Sequence, residues 1–111
     1  MKQSEHSRKL GDTLRSALAE LLLREIEDPR LRQVSIVAAE VSPDRRVAKV
    51  FVTCDPQHYE KVRAGLTACS SRLRRLVGAS LGWKYTPELR FEIDHSIDYA
   101  FAIEERLHQD D

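Results

Sequence analysis

Val34-Ser35-Ile36-Val37-Ala38-Ala39-Glu40-Val41 and Val47-Ala48-Lys49-Val50-Phe51-Val52-Thr53 flank Ser42-Pro43-Asp44-Arg45, and the three segments read together as an antiparallel hairpin. The outer segments are rich in β-branched residues, which suit a pleated, half-buried surface. The middle one has the chemistry of a turn: proline presets φ, and the aspartate can bond its own backbone. A period of two along the second strand puts Ala48, Val50, Val52 and Cys54 on one face and Val47, Lys49, Phe51 and Thr53 on the other. One face of the hairpin therefore needs a cover.

The flanking segments supply it. Upstream, Leu10, Leu14, Ala17, Leu18, Leu21, Leu22 and Ile26 recur at helical spacing, predicting a helix from about Ser7 to Glu27, capped by Ser4 or Ser7 and stopped by Pro29. Downstream, Asp55-Pro56 has the form of a helix start, with the acid as N-cap and proline at the first position. Tyr59, Val62, Leu66, Cys69, Leu73, Leu76 and Val77 continue the stripe. Ser70 and Ser71 weaken it, so one bent helix, or two joined at the serines, is expected. Leu89, Phe91 and Ile93 alternate with charges in a last strand, and residues 96–107 are expected to form a short helix before a frayed acidic end. The order helix, strand, strand, bent helix, strand predicts an α+β domain spanning residues 1–107: a three-stranded sheet with helices on one face, and residues 108–111 as a tail.

At 111 residues the chain has apolar mass for one core. No apolar run approaches the roughly 20 residues that cross a bilayer, and the polar start lacks the apolar stretch of a signal peptide. Cys54 and Cys69 sit among apolar neighbours and read as reduced core thiols. A cytoplasmic protein without a membrane partner is the expectation. The formal net charge is zero, but its distribution is uneven. From Glu92 onward there are seven acids against Arg106 alone, which leaves seventeen bases against eleven acids in residues 1–91. A basic body with an acidic end suits a polyanionic partner, and the acidic end could itself mimic RNA by folding over the basic surface.

Signatures of catalysis are missing from the sequence. His6, His58, His95 and His108 are scattered, without HxxxH or CxxC spacing for a metal. Asp94-His95-Ser96 has triad residue types, but consecutive residues cannot converge as a triad must. Gly78-Ala79-Ser80-Leu81-Gly82 has the wrong order for a phosphate loop. No enzyme, cofactor or metal is expected. What remains is basic: Arg72, Arg74 and Arg75 on the second helix, Arg45, Arg46 and Lys49 on the hairpin, and Lys84 beyond. Arginine's planar fork matches phosphate oxygens, so these seven are the candidate RNA contacts. Trp83 and Tyr85 beside Lys84 have faces on which bases stack, although a place in the core or at a strand entry suits them as well.

Arg24-Glu25-Ile26-Glu27-Asp28-Pro29-Arg30-Leu31, Glu40-Val41-Ser42-Pro43-Asp44 and Tyr85-Thr86-Pro87-Glu88-Leu89-Arg90-Phe91, with Asp94-His95-Ser96-Ile97 after the last, resemble the ribosome-binding factor A family in order and spacing. The resemblance runs from about Lys9 to Leu107. It implies a KH-like domain of type II order, α-β-β-α-α-β. The family replaces the GxxG loop of KH modules with a kink marked Ala-x-Gly; the aligned residues here are Cys69, Ser70 and Ser71, small but without the glycine. It further implies a monomer that binds the free 30S subunit and assists late maturation of 16S rRNA near its 5′-terminal helix. Activity in the cold and cooperation with assembly GTPases belong to the same expectation. The rival from the residues alone is a protein-interaction module, docking by the hairpin edge or the acidic end without touching RNA.

Overall fold

Helix α1 (Glu5–Arg24) begins where a hydroxyl can cap it: Ser4 Oγ accepts the Ser7 N–H at 3.1 Å. It belongs to a computed structural model that describes residues 4–95. The expected helix over 96–107 and the acidic tail lie outside the described residues. Leu14 and Leu18 are fully buried, while Leu10, Leu21, Leu22 and Ile26 pack against the core from its margin. The helix stops several residues before Pro29. Asp28, extended as a residue before proline must be, instead caps a 3-10 turn, Pro29–Leu31. Its carboxylate accepts the Arg30 N–H at 2.9 Å and holds the Arg30 guanidinium at 2.7 Å. That turn swings Leu31 into the core, which a helix continued to Glu27 would not do.

Strands β1 (Ser35–Val41) and β2 (Val47–Thr53) pair antiparallel, as their alternation predicts. On β2 the expected inner residues Ala48, Val50 and Val52 are wholly buried, and Cys54 nearly so. Strand β1 departs from strict alternation. A bulge between Ile36 and Ala38 leaves Val37 outside the register, so Ile36, Ala39 and Val41 all face the core despite their odd spacing.

Asp55 does cap through its side chain, accepting the Gln57 N–H at 2.9 Å, but the element it caps is a 3-10 turn, Pro56–His58. Helix α2 (Tyr59–Leu81) follows without a side-chain cap. It runs through Cys69-Ser70-Ser71 as one helix, where the type II order counts two. Cys69 stays on the buried stripe of Val62, Leu66, Leu73 and Val77, and its thiol donates to the Leu66 carbonyl at 3.8 Å. The apolar line is unbroken, and the helix has no reason to end there. The crossover through α2 lets strand β3 (Glu88–Ile93) join β2 in parallel, giving the order β1-β2-β3. Both helices bury their stripes on one sheet face within a single core. The fold is α+β with the expected three-stranded sheet.

Candidate nucleic-acid interface

The hairpin tip, the last turns of α2 and the loop 82–87 meet at one end of the sheet and wall an open cleft. Arg45, Arg46, Arg74, Arg75 and Lys84 all line it, and Asp44 is the one acid among its lining residues. Its volume of about 1110 Å³ exceeds the roughly 300–1,000 Å³ usual for small-molecule pockets. None of the five cations belongs to an ion pair among the described residues. The cleft therefore carries an excess of positive charge, five cations against the one carboxylate of Asp44.

Each wall is held by local chemistry. In the hairpin, Ser42 Oγ accepts the Val47 N–H at 3.1 Å and donates to Asp44 at 2.7 Å, and Asp44 also accepts the Arg46 N–H at 3.1 Å. The Ser42 hydroxyl, then that N–H, hold the Asp44 carboxyl below the usual carboxylate range, so it is ionised at neutral pH and offsets one of the five cations. Arg45 adopts a left-handed backbone, φ 60°, and its Nη2 donates to His6 Nε2 of α1 at 2.8 Å. A guanidinium has only donors, so the imidazole accepts through its lone pair. Arg74 spends its fork internally: Nε and Nη2 donate to the Thr86 carbonyl at 3.1 and 2.9 Å, tying α2 to the loop.

The loop begins at Gly82, whose φ of 64° ends α2 in a left-handed cap. A Cβ there would meet nothing within 4 Å, so the penalty of a side chain is backbone strain alone. Gly82→Ala is expected to cost about 1 kcal/mol, measured as a fall in the urea midpoint without loss of fold. Beyond the cap, Trp83 is half-buried against the core, whereas Tyr85 is 77% exposed and has Lys84 Nζ 5.6 Å from its ring centroid. The two aromatics thus divide: Trp83 anchors the loop, and Tyr85 is presented to solvent. Pro87 is fully buried and fixes the entry to β3.

Two of the seven candidates lie elsewhere. The register places Lys49 between Glu40 and Arg90 on the open sheet face, with Glu88 and Glu92 on the same side. Arg72 is exposed on α2 but is not among the residues that line the cleft. Burial chiefly pushes the Cys69 thiol up, and the charges of Asp28, Arg30 and Arg72 also act on it. Of the small residues proposed as the kink, Ser71 lines the cleft, Ser70 borders a separate groove along β3, and Cys69 is buried. His6 was not among the candidates. It joins the cleft through a contact across 39 residues, which no local pattern reveals.

The described residues offer little else for chemistry. Cys54 and Cys69 are buried and not joined by a disulfide, and a raised Cys69 thiol is protonated at neutral pH rather than nucleophilic. Among the described residues no three His, Cys, Asp or Glu converge to hold a metal ion, and no helix is long and apolar enough to cross a membrane.

Comparison with known proteins agrees with the fold and the motifs. The family model for ribosome-binding factor A matches residues 6–107. The ribosome-binding factor A of Caldanaerobacter subterraneus is 38% identical over 109 residues, covering 96% of this chain and 89% of that protein. The crystal structure of ribosome-binding factor A from Thermus thermophilus superposes with a TM-score of 0.69 at 29% identity, covering 78% of this chain and 94% of that one. Coordinates of the Thermus thermophilus ribosome binding factor A, a homology model fitted into a cryo-EM map of a 30S complex with that protein, give a TM-score of 0.65 at 28% identity, covering 77% and 91%. With the three-stranded α+β fold, the hairpin signature and a match over nearly its whole length in agreement, the chain belongs to the ribosome-binding factor A family.

Proposed function

We propose that this protein binds the free 30S subunit through its cationic cleft and assists late maturation of 16S rRNA, including the region of the 5′-terminal helix. The observation that supports this most directly is the convergence of Arg45, Arg46, Arg74, Arg75 and Lys84 on one cleft, without ion pairs among the described residues. Phosphate binding supplies the affinity, and no reaction or cofactor is required. Assistance is then binding-linked folding: the cleft fits one arrangement of the rRNA better than others and stabilises it by that difference in affinity. Residues 1–107 act as the binding unit, as a monomer in the cytoplasm, alongside assembly GTPases. Binding of this kind matters most in the cold, where misfolded rRNA escapes slowly.

Sedimentation tests the reading. The protein is expected to travel with free small subunits and not with whole ribosomes; equal binding to both would contradict a role before subunit joining. With about five phosphates contacted, log affinity should fall against log salt with a slope of about −3.5 to −4.5. A flat response, with binding that survives nuclease treatment, would point to a protein partner instead.

A further inference from the structure

Tyr85 is out of place for a residue whose only task is to fold the chain. Among the described residues only Leu23, Val37 and Tyr85 are large, apolar and exposed, and Tyr85 is the one aromatic. It stands on a loop braced from three directions: the Gly82 cap, the Arg74 fork on the Thr86 carbonyl, and buried Pro87. A ring held out on a rigid support loses little conformational freedom when a ligand covers it. Lys84 sits over the same ring at 5.6 Å, and Arg45, Arg46 and Arg75 line the adjoining cleft. An aromatic face with cations around it has the chemistry of a platform for an unpaired base, the ring taking the π-face and the cations taking the flanking phosphates.

We propose that Tyr85 is a base-stacking subsite, so that the cleft selects single-stranded RNA with at least one splayed base over continuous duplex. The inference rests on the RNA-binding reading of the cleft and names the kind of RNA it takes. Duplex bases are stacked on one another and offer no free face, whereas a loop or a strand end does. The subsite is also distinct in place from the middle of α2, where the GxxG loop of a KH module would lie. It is built by the loop after α2, which runs into β3 where the Glu88 N–H donates to the Arg46 carbonyl at 2.8 Å.

The single tryptophan of the chain lines the same cleft, so Trp83 fluorescence reports binding at this site. Titration of the full chain with a short oligoadenylate, and with an RNA duplex of equal phosphate count, is compared for wild type, Tyr85→Ala, Tyr85→Phe and Arg75→Glu. Tyr85→Ala should weaken the single strand about 5- to 150-fold and leave duplex binding within about twofold, while Tyr85→Phe keeps the wild-type preference. If Arg75→Glu weakens both RNAs but Tyr85→Ala weakens neither, the stacking subsite is wrong and the cationic cleft stands. If Arg75→Glu also leaves both unchanged, the RNA reading of the cleft falls with it. Equal losses for both RNAs in Tyr85→Ala would likewise overturn the selectivity for unpaired bases.

Discussion

Gly11→Val is expected to destabilise the protein by about 3 kcal/mol or more, a large share of the roughly 5–15 kcal/mol that holds a domain folded. Gly11 is buried on α1 where the helix crosses β1. A Cβ built there would run into the Ala39 carbonyl oxygen and lie 3.2 Å from its carbon. The obstacle is backbone in a strand paired to β2, so it cannot rotate away as a side chain would. Either α1 lifts off the sheet, uncovering Leu14 and Leu18, or β1 bends out of register. Gly11→Ala meets the same oxygen, but recovers about 0.5–1 kcal/mol of helix preference, so its loss should be smaller. With a urea slope of about 1–3 kcal/mol/M, the Val variant should lower the midpoint by about 1–3 M. An unchanged midpoint would mean that α1 does not sit this close to β1.

How much of this could be read from the residues alone depends on whether the deciding contact was local. The hairpin was legible because each β2 side chain reports its own face, and Ala48, Val50 and Val52 are buried as the alternation requires. The bulge at Val37 was not, because it answers to what α1 and β2 need from Ile36 and Ala39 together. The early end of α1 was hidden for the same reason: the pull comes from Leu31 entering the core. Helix α2 showed its stripe plainly, and of the two readings that its serines left open, one bent helix or two, the chain forms a single helix with Cys69 on the buried stripe.

The cleft was half legible. Arg45 and Arg46 flank a turn, and Arg74, Arg75 and Lys84 surround the end of a helix, so proximity in sequence carried over into space. It failed for Arg72. At about 100° per residue, Arg72 and Arg74 stand about 160° apart around α2, and only Arg74 reaches the loop, at the Thr86 carbonyl. Lys49 failed by the period of two, which sends it to the open face while the hairpin tip carries Arg45 and Arg46 into the cleft. The bonds from Arg45 to His6 and from Arg74 to Thr86 join residues distant in sequence, and only the folded chain shows them.

Those bonds decide which arginines give a clean test. Reversing Arg45 or Arg74 would disturb the hairpin or the loop as well as the charge. The side chains of Arg46 and Arg75 are exposed and make no hydrogen bond or ion pair among the described residues. Arg46→Glu with Arg75→Glu should therefore leave the urea midpoint nearly unchanged, as surface substitutions usually stay within about 0.5 kcal/mol. Binding should respond very differently. Each charge-assisted contact to a phosphate is worth about 1.5–3 kcal/mol, so losing two costs at least about 3 kcal/mol, or two decades in affinity for the small subunit. The salt slope should become shallower by about two phosphates' share. The paired control is Lys49→Glu with Arg90→Glu, which changes net charge equally but on the open sheet face. That control should lower affinity by less than about tenfold, since screening over a Debye length of about 8–10 Å weakens charges outside the contact. If the control matches the Arg46/Arg75 variant, binding follows overall charge and the cleft is not the site.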